Sequence, residues 1–266
     1  MNMPIERTLN LPNGLMRRDI SQMPEAFRRA YGPTEAFSST LGELERDDVA
    51  VANYRGNRTI NPRSRGSCRI FAVWPDLETT FPRVYGLDSL LEYHHLALTL
   101  VDKNVRQVQE QYGPIRYRKE DGSWGSHFFD LLKTNKCGRR EAVAIKPTSR
   151  LVSGRFFTEI RQICSTMPKG TADEVRLVTE KSFSRVKATN AATYLRFALC
   201  PDLEADALIN DAVQKLAGEL TISDLIQISQ TGPRGFRAAF RAIYEERLTL
   251  VSTGHINLHS IVRRPQ

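Results

Sequence analysis

The feature that most constrains this chain is a change of apolar rhythm across residues 87–199. Apolar residues at Leu87, Leu90, Leu91, Leu98, Val101 and Val105 have the spacing of one buried helical stripe. Asp88 and Ser89 stand at its start, where their side chains can cap free amides. The pattern then shortens to that of strands. Residues 105–117 read as one strand, ending in Ile115-Arg116-Tyr117. After an Asp121-Gly122 turn, 126–132 read as a second. Asn135 to Gly138 is another turn, and 141–147 is a buried strand stopped by Pro147. Residues 156–165 read as a helix, 175–179 as a strand and 189–199 as a helix. This order predicts an α/β domain with a mixed sheet flanked by helices.

Composition narrows the class of partner. The chain has 266 residues, 41% hydrophobic and 26% charged, with a formal net charge of +8. It can bury a core, and its positive excess suits a polyanion such as nucleic acid. Residues 88–200 hold 19 basic and 12 acidic side chains, so most of the excess sits there. No apolar run approaches the ~18 residues of a membrane span, and residues 1–20 lack the apolar centre of a signal peptide. The cysteines Cys68, Cys137, Cys164 and Cys200 are too widely spaced for a zinc pair or a compact disulfide framework. The expectation is a reduced, cytoplasmic, nucleoid-associated protein with no membrane partner.

Arg55, Arg58, Arg63, Arg65 and Arg69 fall in a stretch without acids that Gly56, Pro62 and Gly66 interrupt. It reads either as a basic arm along a phosphate backbone or as a loop whose arginines pair with acids elsewhere. Residues 1–70 are expected to form an extension with this arm, 71–200 the core, and 201–266 a second domain.

The candidate chemistry lies at Glu92, Asp130 and Lys146. Phosphodiester hydrolysis uses a hard divalent cation held by carboxylate oxygens, which lowers the pKa of the attacking water. A neighbouring lysine can orient that water or stabilise the developing charge. Asp130 and Lys146 fall on strands joined by the Gly138 turn, whereas Glu92 must arrive by tertiary packing. His94, His95, His255 and His259 lack a matching set of ligands, and Trp74 and Trp124 read as packing residues.

Four segments carry a resemblance: Gly86-Leu87-Asp88-Ser89-Leu90-Leu91-Glu92, then 105–111, His127-Phe128-Phe129-Asp130, and Val143-Ala144-Ile145-Lys146-Pro147. Together they resemble the TnsA family, endonuclease subunits of heteromeric transposases within the PD-(D/E)xK nuclease superfamily. Residues 176–180 and 189–195 resemble the family's later strand and helix, and the likeness spans about 53–262. The resemblance implies a restriction-endonuclease-like core that cuts double-stranded DNA with Mg²⁺ or Mn²⁺ beside a separate transposase subunit. Glu92, Asp130 and the backbone carbonyl of Ile145 would hold the metal, and Lys146 would assist the water.

The sequence departs from the family pattern at three places. Gln-Pro is here Gln111-Tyr112, and Pro-Asp is Phe129-Asp130. Ala144 stands where the family has Glu or Gln two residues before the lysine. Side chains alternate along a strand, so Glu141 points to the opposite face from Ala144 and cannot simply replace that ligand. Two readings are open: a nuclease with one ligand fewer, or an inactive nuclease-fold regulator or assembly factor. A restriction or repair nuclease outside transposition is a third.

The last segment reads as a winged helix. Apolar spacing places a helix at 208–216, a Thr221–Asp224 capping box opens a short second helix, and Pro233 opens a third over 234–247. Residues 248–252 and 255–262 read as a hairpin. Arg234, Arg237 and Arg241 would face the DNA major groove, or else form a solvated face of a protein-binding domain.

Overall fold

The computed structural model describes residues 51–60, 68–79 and 81–265. Residues 1–50, Arg63 and Arg65 lie outside this set. The chain divides into two units, Met1–Asn53 and Tyr54–Gln266, and Arg55, Arg58 and Arg69 belong to the second.

The second unit opens with an antiparallel hairpin of β1 (Ile70–Pro75) and β2 (Pro82–Leu87), with Trp74 opposite Arg83. Helix α1 (Leu90–Val101) comes next. Then come β3 (Val105–Arg118), β4 (Trp124–Asn135) and β5 (Arg140–Ile145), helix α2 (Arg155–Thr166), β6 (Glu174–Val178) and helix α3 (Arg185–Ala198). The sheet order is β3-β4-β5-β6; the first two pairings are antiparallel and β5–β6 is parallel. A parallel neighbour needs a crossover, and α2 supplies it. The β4–β5 hairpin turns tightly: Gly138, at φ +86°, donates to the Asn135 carbonyl at 2.9 Å. A left-handed turn position of this kind favours glycine.

The two faces of the sheet carry separate apolar layers. Leu131, Val143 and Ile145 pack with Leu96, Ala97 and Leu100 of α1 and with Ala191, Ala192 and Leu195 of α3. On the opposite face Ile115, Tyr117, Phe129, Ala142 and Ala144 pack with Ile163 of α2. This is a mixed α/β architecture with helices on both faces of a mixed sheet.

A buried ionic knot joins the β1–β2 hairpin to β3. Arg83 and Glu110 are both fully buried, and Arg83 Nη1 donates to Glu110 Oε2 at 2.9 Å and Oε1 at 3.1 Å. Arg83 Nη2 donates to the Val108 carbonyl at 3.0 Å, and Nε lies 3.5 Å from Asp76.

The chain continues into α4 (Leu203–Gln214), β7 (Glu219–Thr221), α5 (Ile222–Ser229), α6 (Gly235–Tyr244), β8 (Thr249–Leu250) and β9 (Ile261–Arg263). Thr221 and Asp224 form the expected capping box. The small sheet has the order β7-β9-β8. Its last two strands are much shorter than the hairpin expected from sequence, because residues 251–260 form a loop. Ile209, Val213, Leu225, Phe240 and Val262 centre this second core. Helix α3 belongs to both cores: Tyr194 packs against each, and its ring stacks on Tyr244 with centroids 4.6 Å apart. Among the described residues no helix is long and apolar enough to cross a membrane.

Candidate functional site

The N-terminus of α1 builds the first part of the site. Ser89 caps the helix by accepting from the Glu92 amide at 3.2 Å. Glu92 turns back: its Oε1 accepts from Ser89 Oγ at 2.8 Å and its Oε2 from the Asp88 amide at 2.9 Å. Ser-x-x-Glu is thus first a capping arrangement that satisfies free helix amides. Most such carboxylates are solvated, but this one is 4% exposed.

Its surroundings come from the sheet. Gln111 is fully buried, sits at φ +48° just before the β3–β4 register shift between Tyr112 and Ile115, and donates to Glu92 Oε2 at 3.3 Å. A left-handed backbone is uncommon for a residue other than glycine and turns this amide out of the regular pleat. Asp130, 5% exposed, accepts from the Ile145 amide at 2.6 Å and from Lys146 Nζ at 3.3 Å through the same oxygen, Oδ2. The ammonium also lies 5.8 Å from the Phe156 ring centroid. Residues 92, 130 and 146, distant in sequence, thus share one region at the end of β5.

Burial pushes the Glu92 carboxyl up to about 7, with the neighbouring Asp130 charge adding to it. Folded Glu92 therefore keeps its proton well above the 4.5 of an unperturbed glutamate. The folded state binds more protons in that interval, so this share of stability is complete below about 4.5 and lost as pH rises to about 7. It is worth on the order of 3 kcal/mol. His95, held down to about 4 by burial, acts with the opposite sign over an overlapping range and costs stability as pH falls. Glu92→Gln isolates the first effect. Relative to wild type, urea denaturation is expected to show the variant gaining stability from pH 5 to pH 8. A difference that does not change with pH would mean that Glu92 titrates normally.

The third ligand position is apolar. Ala144 is buried against α2, and Glu141 lies elsewhere on β5, paired with Lys133 at 3.2 Å and Arg176 at 3.0 Å. No group of three or more His, Cys, Asp or Glu placed to hold a metal occurs among the described residues. His94 and His95 lie on α1, and burial pushes both rings toward the neutral form.

The described arm arginines are held by acids. Arg55 pairs with Asp76 at 2.9 Å and Glu78 at 2.5 Å. Arg58 pairs with Asp88 and donates to Gln111 Oε1, and Arg69 pairs with Asp88 at 3.1 Å. Arg58 and Arg69 therefore converge on the residue that feeds Glu92 a backbone hydrogen bond. The sequence reading put Arg58 in the basic arm and Gln111 at the family's Gln-Pro position, without bringing either to Glu92. Gln111 had one available signal, its place in the motif that the Gln111-Tyr112 pair occupies.

In the C-terminal segment the three arginines have different fates. Arg241 is 2% exposed, so the expectation that it contacts DNA is corrected. Its guanidinium pairs with Asp206 at 2.7 Å and donates to the Phe197 and Cys200 carbonyls at the end of α3. Arg234 belongs to a short 3₁₀ turn before α6 and pairs with Asp202 and Glu204. Arg237 rests over the Phe197 ring, 5.6 Å from its centroid. No protein-family model matches this chain, and no curated protein matches it with significance.

Proposed function

We propose that this protein is a divalent-metal-dependent DNA endonuclease that resembles the TnsA subunit of heteromeric transposases. The observation that carries the reading is the convergence of Glu92, Asp130 and Lys146 at the end of β5. The helix, three antiparallel strands, crossover helix and parallel strand around them support a restriction-endonuclease-like core.

The residues fit a hard cation such as Mg²⁺ or Mn²⁺ with a sparse ligand set. Two buried carboxylates, with the Asp130 charge making ionisation of Glu92 costlier, are a place where a cation offsets repulsion. Glu92 and Asp130 would hold it, with the Ile145 carbonyl, and Mg²⁺ keeps several waters where protein ligands are few. The bound ion would polarise the scissile phosphate and acidify a water. Asp130 positions the Lys146 ammonium, which would orient the attacking water and offset charge developing on phosphate oxygens. Gln111 holds the Glu92 carboxylate in place through its side-chain amide.

Three helices, with one short strand after the first and two after the third forming a small sheet, support a winged-helix reading of residues 201–266. Arg234 and Arg237 remain its candidate contacts to double-stranded DNA. A separate transposase subunit is the expected protein partner, in a nucleoid-associated setting.

The test is nicking of supercoiled plasmid with Mg²⁺ or Mn²⁺. Wild type is expected to nick, and Asp130→Ala to lose roughly a hundredfold or more in rate. Equal nicking by both overturns the site. Ala144 favours a second reading, an assembly factor that keeps the fold and binds DNA without cutting. Wild type that retains plasmid yet shows neither nicking nor calorimetric Mn²⁺ binding supports that reading instead.

A further inference from the structure

Beyond Leu131 toward the hairpin tip, β4 has only β3 as a neighbour, so the pair continues as a two-stranded arm. One face of the arm packs on α2 through Ile115, Tyr117 and Phe129. The alternation of side chains puts Arg116, Arg118, Trp124 and Ser126 on the other face, and all four are exposed. Trp124 is 57% exposed and belongs to none of the apolar clusters of the described residues. Instead two guanidiniums flank it, Arg116 and Arg118, each 5.2 Å from its ring centroid. The strand register makes this unavoidable, because Arg118 pairs directly with Trp124 and Arg116 with Ser126.

Neither guanidinium is in an ion pair among the described residues. The acids at the tip, Glu120 and Asp121, are fewer than the basic groups Arg116, Arg118 and Lys119, and Asp121 is engaged with the Ser123 amide. The same alternation continues to Phe128, over which the Arg58 guanidinium lies at 5.7 Å, and the strand then reaches Asp130. The distance from Trp124 to Asp130 along an extended strand is roughly 20 Å. The arm is therefore a strip of aromatic rings with arginines beside them, ending at the carboxylates.

We propose that this exposed face is a track for single-stranded DNA, with a base stacked on Trp124 and flanking phosphates held by Arg116 and Arg118. Aromatic rings bind bases of any sequence through their π faces, and arginines follow the backbone. A rigid duplex keeps its bases stacked inside and offers Trp124 no face to bind. An apolar protein partner would meet two uncompensated charges beside the indole. The track rests on the endonuclease reading only for its destination, the Asp130 end; the binding does not require cleavage.

The chain itself provides the probe. It has two tryptophans, and Trp74 is 1% exposed. Quenching of tryptophan fluorescence by added oligothymidylate therefore reports on Trp124. The full chain would be titrated in EDTA with oligothymidylate and with a duplex of equal length. Quenching by the single strand, and weak or no quenching by the duplex, is expected. Trp124→Ala should keep its thermal transition and bind a labelled single strand roughly tenfold more weakly. Arg116→Ala with Arg118→Ala should reduce the salt dependence of binding. Unchanged fluorescence, equal binding by Trp124→Ala, or duplex quenching as strong as single-strand quenching overturns the proposal. Quenching without plasmid nicking sinks the nuclease reading and leaves the track; nicking without quenching does the reverse.

Discussion

Arg83→Ala is expected to remove about 3–5 kcal/mol of stability, a large share of the roughly 5–15 kcal/mol that holds a typical domain folded. Arg83 and Glu110 have no exposed surface, so neither can fall back on water. Burial pushes the Glu110 carboxyl up, and the Arg83 charge pulls it back down. Without the guanidinium, the carboxyl must ionise unpaired in the interior or take up a proton. The Val108 carbonyl loses a donor, Asp76 loses an ion-pair neighbour at 3.5 Å, and the Tyr85 ring loses a guanidinium 3.9 Å from its centroid. An apolar exchange of both partners, Arg83→Met with Glu110→Leu, removes the stranded charge. It is expected to cost less than the single change, because buried pairs contribute little beyond their own desolvation. Urea denaturation of the three proteins checks this order. A single variant as stable as wild type would mean that the knot is hydrated.

Arg241→Ala carries the second large effect, about 3 kcal/mol. The guanidinium bonds Asp206 on α4 and two carbonyls at the end of α3, tying three helices at one point. The neighbouring Arg237→Ala removes a side chain stacked over a ring and should change stability by under about 1 kcal/mol. On the proposed DNA-binding reading, DNA retention falls in both variants for different reasons. For Arg241→Ala the loss should track the melting temperature, whereas Arg237→Ala should weaken binding while still folded. An Arg241→Ala protein that melts like wild type would mean that this guanidinium does not tie the three helices together.

Much of the sheet was legible because its strands have one dominant environment each. The strand β5, Arg-Glu-Ala-Val-Ala-Ile, has an apolar run bounded by Gly138 and Pro147, and it starts one residue before and ends two residues before the expected 141–147. The β1–β2 hairpin was not legible. Ile70 to Trp74 is a continuous apolar run in which Phe71 and Val73 are exposed and Trp74 is buried, so no alternation marks it as half-covered. The site shows a similar division. Asp130 and Lys146 can be paired from a hairpin between neighbouring strands. Gln111 depends on a left-handed backbone that no local pattern announces. Arg241 shares a three-and-four spacing with Arg234 and Arg237, which reads as one solvated face. Its partner Asp206 lies 35 residues earlier, and burial is decided by that pairing rather than by helical spacing.

The Tyr194–Tyr244 stack bears on how the molecule comes apart. Leu195 belongs to the core beneath the sheet, Phe197 packs on the C-terminal core, and both lie on one helix. Fraying α3 removes a wall from both cores at once, so neither can melt and leave the other intact. The link at Cys200-Pro201-Asp202 joins two sequence patterns without being a thermodynamic seam. Cooperativity crosses it through stacked rings, and a fragment ending there would carry an aromatic surface stripped of its cover.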